Sequence, residues 1–144
     1  MAAWTYHHRS LGEALYPDGT EVTRPVVPVL TAPGESQLLG VLDTGSPTSV
    51  ANARLFAQLG VDVDNDTPLL EVPLGIGGVY AAVPVFEVEL WLHPPESVSE
   101  PVAWRLPLAA RKGWRLSFPI LFGQRGWFDR FPTRIDGTTS TVEV

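Results

Sequence analysis

Leu38-Leu39-Gly40-Val41-Leu42-Asp43-Thr44-Gly45-Ser46 joins an apolar run to an acidic turn with no polar spacer. The run is short and carries no charge, so it reads as a buried strand with an aspartate emerging at its end. Each residue of the turn has a chemical use there. Asp43 supplies a carboxylate. Gly45 has no Cβ, so a backbone N–H can approach that carboxylate closely. Thr44 and Ser46 supply hydroxyls that can bond to backbone or to the carboxylate. At usual residue frequencies this tetrapeptide arises by chance in about one chain in a thousand of this length.

The flanking sequence extends the strand reading. Arg24-Pro25-Val26-Val27-Pro28-Val29-Leu30 is a β-branched run that the turn Ala32-Pro-Gly-Glu-Ser36 returns into residues 37–42, a β-hairpin. Pro25 and Pro28 lack a backbone donor and predict an edge strand or a bulge. Beyond the acidic turn, Ser49-Val50 extends again. Asn52 can then cap a helix over Ala53–Leu59, with Gly60 closing it. Residues 69–74 and 79–92 read as strands around Gly75-Ile76-Gly77-Gly78. In the second, Phe86, Val88, Leu90 and Leu92 alternate with Glu87, Glu89 and Trp91, a period of two. Residues 102–109 form a further strand candidate, and the apolar stretch Trp114–Phe122 runs into Gly123. A short helix over Trp127–Phe131 and a last strand over Arg134–Asp136 complete an all-β chain with one or two short helices. Pro17-Asp18-Gly19 marks a turn near the start. The tail Thr138–Val144 is polar enough to fray or to pair with a partner chain.

Composition narrows the chemistry. The 144 residues make one domain, and Gly and Pro together supply 27 of them, which favours turns over long helices. There is no cysteine, which excludes disulfides, cysteine nucleophiles, iron–sulfur clusters and thiolate zinc sites. Three histidines (His7, His8 and His93) argue against an all-histidine metal centre. The net charge of −6 disfavours nucleic acid, since only Arg105, Arg111, Lys112 and Arg115 cluster. No apolar run has membrane-spanning length, and the first ten residues lack a signal-peptide core, so the expectation is a cytoplasmic protein free of membranes.

Three segments, in order, resemble the retropepsin-like aspartic proteases of the single-domain, homodimeric, cellular or bacterial type. Leu42-Asp43-Thr44-Gly45-Ser46 is similar to their catalytic loop. Gly75-Ile76-Gly77-Gly78 is similar to their glycine-rich flap tip. Ile120-Leu121-Phe122-Gly123 is similar to their second apolar-Gly segment, although an aliphatic residue is commoner where Phe122 stands. The resemblance implies a closed pepsin-like β-barrel with a flap hairpin, a core over about residues 22–136, and terminal segments 1–20 and 137–144. It also implies an aspartic endopeptidase. Because the chain holds one Asp-Thr-Gly, Asp43 from each of two chains would meet at a two-fold axis and activate a water, with no metal or cofactor. Thr44 would lock the two loops together, Gly45 would present its N–H to the carboxylate, and Ser46 would donate to the outer carboxylate oxygen. Gly75, Ile76, Gly77 and Gly78 would close over an extended peptide or protein substrate. A non-catalytic dimerisation or peptide-binding module of the same fold is the alternative, and a small β-barrel carrier a third.

Other patterns are weaker. Asp62, Asp64 and Asp66 alternate as in a calcium loop, but the glycine and glutamate such a loop needs are missing, which leaves a solvated turn. The glycines at 75–78 are not followed by the Lys-Ser/Thr of a phosphate loop. Ser46 or Ser49 with His93 has no nucleophile-elbow sequence behind it. Trp91, Trp104, Trp114 and Trp127 are candidates for the core or an interface.

Overall fold

The alternation in residues 79–92 produces the longest strand of the molecule, and the other elements assemble around it. A computed structural model describes residues 4–13, 15–76, 79–96 and 99–144. Its strands are β1 (Thr5–His7), β2 (Arg9–Ser10), β3 (Thr23–Arg24), β4 (Val26–Leu30), β5 (Leu38–Leu42), β6 (Val50–Asn52), β7 (Leu70–Ile76), β8 (Val79–Leu92), β9 (Val102–Arg111), β10 (Ile120–Phe122), β11 (Arg134–Asp136) and β12 (Thr141–Glu143). One 3₁₀ helix spans Ala53–Leu59 between β6 and β7. Strands β4-β5-β10-β6-β9-β8 pair in that order, and β8 returns to β4, so six strands close into a barrel. The sheet is mixed: β10 runs parallel to β5, and β6 parallel to β9.

The period of two in β8 decides its faces. Phe86, Val88, Leu90 and Leu92 are buried, whereas Glu87 and Glu89 are exposed. These apolar residues meet Val27, Val29, Leu106, Leu108 and Ile120 in the main core. Helix 53–59 packs Leu55 and Phe56 onto this core. Its ends follow the sequence: the Asn52 side chain accepts from Arg54 N at 3.1 Å, and Gly60 adopts the left-handed conformation, φ 75°.

Four expectations are corrected. β4 is not an edge strand, because it pairs with β5 on one side and β8 on the other. Pro25, just before the strand, and Pro28 within it lack a donor but still accept: Pro25 O takes the Leu42 N–H and Pro28 O the His93 N–H, both at 3.0 Å. Residues 127–131 form turns rather than a helix, with Phe131 N bonded to Trp127 O at 2.8 Å. The tail neither frays nor waits for a second chain: β12 lies between β1 and β11 of its own chain. Packing also extends past residues 22–136, since Tyr6 and Val142 are buried in the main core. Their alternation is exposed-buried-exposed in β1 and half-buried-buried-half-buried in β12, so one apolar residue per strand ties each terminus down.

Candidate active site

Asp43 leaves the barrel at the end of β5, where strand pairing with β10 stops at Phe122↔Leu42. Its own N–H still reaches Phe122 O at 2.9 Å, so the backbone of the aspartate is fixed by the neighbouring strand. The carboxylate turns back on the loop, and Gly45 N donates to Asp43 Oδ1 at 2.9 Å. The Asp43 side chain is half-buried, and Thr44 and Gly45 are exposed.

The alternation along β5 gives Asp43 its surroundings. Leu42 faces the main core, while Val41 joins Val26 and Phe118 in a separate apolar cluster against which Leu11, Leu39, Trp114 and Leu121 pack. Asp43, two residues beyond Val41, therefore ends the strand on the side of that cluster.

The loop is held by the segment that follows β10. Gln124 N donates to Ser46 O at 2.8 Å, Arg125 N to Pro47 O at 3.1 Å, and the Gln124 side chain to Thr44 O at 2.7 Å. Gly123 makes this approach possible. A Cβ there would lie 2.5 Å from Ser46 O and 2.6 Å from Thr48 O, both backbone atoms that cannot yield. Ser49 is fully buried and joins the two segments, since its hydroxyl accepts from Gly123 N at 3.0 Å and donates to Arg125 O at 2.7 Å. Beneath them lies an aromatic group. Trp127 packs on Phe122 and Phe131 with ring centroids 5.1 and 4.5 Å apart, and Trp104 meets Trp127 edge-on at 5.7 Å. Trp104 Nε1 donates to Gly126 O at 2.9 Å, so the one polar atom of this buried side chain also serves the loop.

Phe122 has its explanation here. A Cβ on Gly40 would lie 2.2 Å from the Phe122 ring. The space that an aliphatic residue before Gly123 would leave for a side chain on β5 is filled by the ring instead.

Ser46 departs from its expected role. Its hydroxyl donates to Thr48 O at 2.7 Å. A hydroxyl has one proton, so Ser46 braces the loop rather than donating to the Asp43 carboxylate. No serine–histidine pair forms either, because Ser49 donates to Arg125 O, while His93 Nδ1 lies 2.7 Å from Pro94 O and Nε2 3.3 Å from Gln37 Nε2. The acidic run at 62–66 is a solvated turn: Asp62 Oδ1 accepts from Asp64 N and Asn65 N, and Lys112 pairs with Asp64. Among the described residues no group of three metal-ligating side chains converges, and no helix is long and apolar enough to cross a membrane.

β7 and β8 form a hairpin, antiparallel from Leu70↔Val85 to Ile76↔Val79. Gly77 and Gly78 lie outside the described residues. Next to the last pair before the turn, Gly75 faces Tyr80, whose ring would lie 2.7 Å from a Cβ on residue 75, and Tyr80 is 79% exposed.

Sequence reasoning missed Ser49 and Gln124 as loop braces, and the pairing of Glu13 with Arg24. The side chain of Arg24 binds both carboxylate oxygens of Glu13, Nε at 2.5 Å and Nη2 at 2.8 Å. This fork holds the Glu13 carboxyl below the usual carboxylate range. The only sequence sign of it is an acid and a base flanking the turn at 17–19, too common a pattern to single out.

No protein-family model matches the chain, and no curated protein does. Among solved structures, it is similar to a retropepsin-like aspartic protease from Rickettsia conorii over 100% of this chain and 99% of that one, with a TM-score of 0.56 and 12% sequence identity. The chain thus has the retropepsin-like fold, an all-β closed barrel.

Proposed function

We propose that this protein is an aspartic endopeptidase in which Asp43 of one chain and Asp43 of a second copy form the catalytic dyad. The observation that carries the reading is the carboxylate of Asp43, braced by Gly45 N–H at the end of a barrel strand in a retropepsin-like fold. One Asp-Thr-Gly per chain gives one carboxylate, and the chemistry needs two, so the site is completed by a homodimer. Exposure of Thr44 and Gly45 leaves this loop available to a second copy.

Two facing carboxyls cannot both ionise readily and share a proton, as in aspartic proteases generally. The ionised Asp43 takes a proton from a water between the two. The protonated Asp43 donates to the oxygen of the scissile carbonyl. Water adds directly to the carbonyl carbon, and the resulting tetrahedral species breaks down when the amine leaves with a proton; no acyl-enzyme forms. The β7–β8 hairpin, with Gly75, Ile76, Gly77 and Gly78 at its end, is the element that would close over an extended peptide.

Asp43→Asn tests the reading, because one substitution removes both members of the dyad. Incubated with a mixed peptide library between pH 3 and 8, the wild type cleaves and the folded variant does not, and pepstatin inhibits the wild type. Cleavage by the purified variant at a near wild-type rate overturns the reading. A folded wild type that stays monomeric by sedimentation at micromolar concentration and cuts nothing favours the non-catalytic module.

A further inference from the structure

The sheet of the chain ends has the order β1-β12-β11, and its two outer strands differ in what they border. β1 lies next to β4, and its Tyr6 hydroxyl bonds to His93 O at the end of β8. β11 ends the sheet with no strand beyond it among the described residues. The bonds between β1 and β12 decide which way the backbone of β11 points. Trp4 and Val144 exchange both bonds at 2.9 Å, and His8 N donates to Ser140 O at 2.8 Å, so even-numbered positions along β12 turn their backbone to β1. Alternation then turns Thr141 and Glu143 to β11, where they pair with Asp136 and Arg134. Ile135, between those two, aims its N–H and C=O away from β12, at the free edge.

The side chains of this edge fit a copy of themselves. Ile135 stands across from Val142, and Val142 from Tyr6; Tyr6 and Val142 are buried in the main core, while Ile135 is 37% exposed. On the opposite face Arg134 and Asp136 flank it, with Arg134 Nη2 3.5 Å from Asp136 Oδ2. A second β11, antiparallel to the first about a two-fold axis at Ile135, meets all of these groups. The two Ile135 residues exchange both backbone bonds, and their side chains meet on the apolar face. Each Arg134 comes to lie across from Asp136 of the other copy, at a non-hydrogen-bonded position where facing side chains are closest. The smallest slip that keeps the outward backbone groups paired is two residues, and it sets Arg134 against Arg134 or Asp136 against Asp136. Charge therefore favours one register.

We propose that the free edge of β11 is where two copies of this chain join, making one six-stranded sheet from the two three-stranded ones. The joint is argued from the sheet alone; that it assembles the Asp43 dyad rests on the endopeptidase reading. Charges on an edge strand commonly keep other strands away, and an edge with a single sign of charge would repel its own copy. Here the two signs are placed symmetrically about Ile135, so the edge excludes slipped pairings and admits the isologous one.

The experiment is a charge exchange in the full chain, read by sedimentation equilibrium. Arg134→Glu sets like charge against Asp136 of the other copy, and Asp136→Arg does the same against Arg134. Each variant alone is expected to dimerise about tenfold more weakly than the wild type, since two attractive pairs become repulsive ones. Mixed in equal amounts, the two variants pair with each other, because both contacts are again of opposite charge. That recovery is the expected result, and a purely structural role for either residue would not produce it. Dimers of wild-type strength in each variant alone, no recovery on mixing, or a wild type that is monomeric at micromolar concentration overturns the proposal. Asp136 also accepts from Thr138 N, Thr138 Oγ1 and Thr139 N, so its replacement disturbs a turn. If Asp136→Arg does not fold, Ile135→Pro decides with Arg134→Glu: it removes the outward N–H and leaves the bonds between β11 and β12 in place. Loss of the dimer in that folded variant supports the joint, and an unchanged dimer overturns it. Peptide cleavage is measured on the same samples. Dimers that respond as expected in a protein that cuts nothing remove the endopeptidase reading and leave the joint standing. Cleavage and dimerisation that ignore every substitution do the reverse.

Discussion

Ser49 serves two partners with one hydroxyl, and both are backbone groups of the segment that holds the Asp43 loop. Removing it strands the Gly123 N–H and the Arg125 carbonyl in a buried place. Ser49→Ala is expected to destabilise the fold by about 2–3 kcal/mol in urea unfolding, since a buried polar group without a partner costs more than its bond contributed. Ser46, half-buried, behaves differently. Its proton goes to Thr48 O rather than to the carboxylate, so Ser46→Ala is expected to cost about 1 kcal/mol or less and to leave the pH–rate profile in place. An upward move of the profile in Ser46→Ala would mean that the hydroxyl reaches Asp43 during catalysis. The two serines stand three residues apart in sequence, and burial and the number of backbone partners separate their effects.

Between elements, the tightest fit near the site is that of β5 with β10. The Phe122 ring occupies the space over Gly40, in the parallel pair whose ends carry Asp43 and Gly123. Gly40→Ala drives a methyl into that ring and is expected to cost about 1–3 kcal/mol. Phe122→Leu removes the ring edge at its own cost in lost packing. In the Phe122→Leu background Gly40→Ala should cost far less, and a double-mutant cycle measured by chemical unfolding reads the coupling. Equal costs in both backgrounds would show that the ring is not the obstacle. The same reasoning explains why an aromatic residue is tolerated before Gly123: the volume it needs is supplied by a glycine across the strand pair.

For the molecule as a whole, charge sets the stable pH range. The carboxyls of Glu13, Asp18, Asp62 and Asp136 are all held below their ordinary values, chiefly by hydrogen bonds from Arg24, Thr20, Asn65 and Thr138 respectively. A depressed folded-state value contributes stability above the unfolded value of about 4 and loses it as the pH falls through the folded value. Tyr6 works at the other end. Its hydroxyl donates to His93 O at 2.7 Å, and burial pushes the phenol up. A raised value keeps its contribution below the unfolded value of about 10 and loses it as the pH rises further. The melting temperature is therefore expected to be level between about pH 5 and 9, to fall on both sides, and to lose its alkaline decline in Tyr6→Phe. A decline of equal steepness in that variant would assign the alkaline limb to another group.

The sequence by itself determined the strand content, the hairpins, the capped helix at 53–59 and the Asp43-Thr44-Gly45-Ser46 loop. Those signals are local: a period of two, a proline or glycine at a turn, an asparagine before a helix. Tertiary structure decided what local signals cannot carry. Barrel closure turned β4 from an edge into a strand paired on both sides, because β8 runs past its pairing with β7, which ends at Val85, and meets β4 at Trp91 and Leu92. Pairing of β12 with β1 brought together the two ends of the chain, a contact between residues more than 130 positions apart that no window of sequence contains. The partners of the site followed the same rule. Ser49 and Gln124 have ordinary neighbours in sequence, and only the pairing of β10 with β5 and β6 sets residues 123–125 beside the Asp43 loop, where a hydroxyl and an amide find the backbone groups they bind.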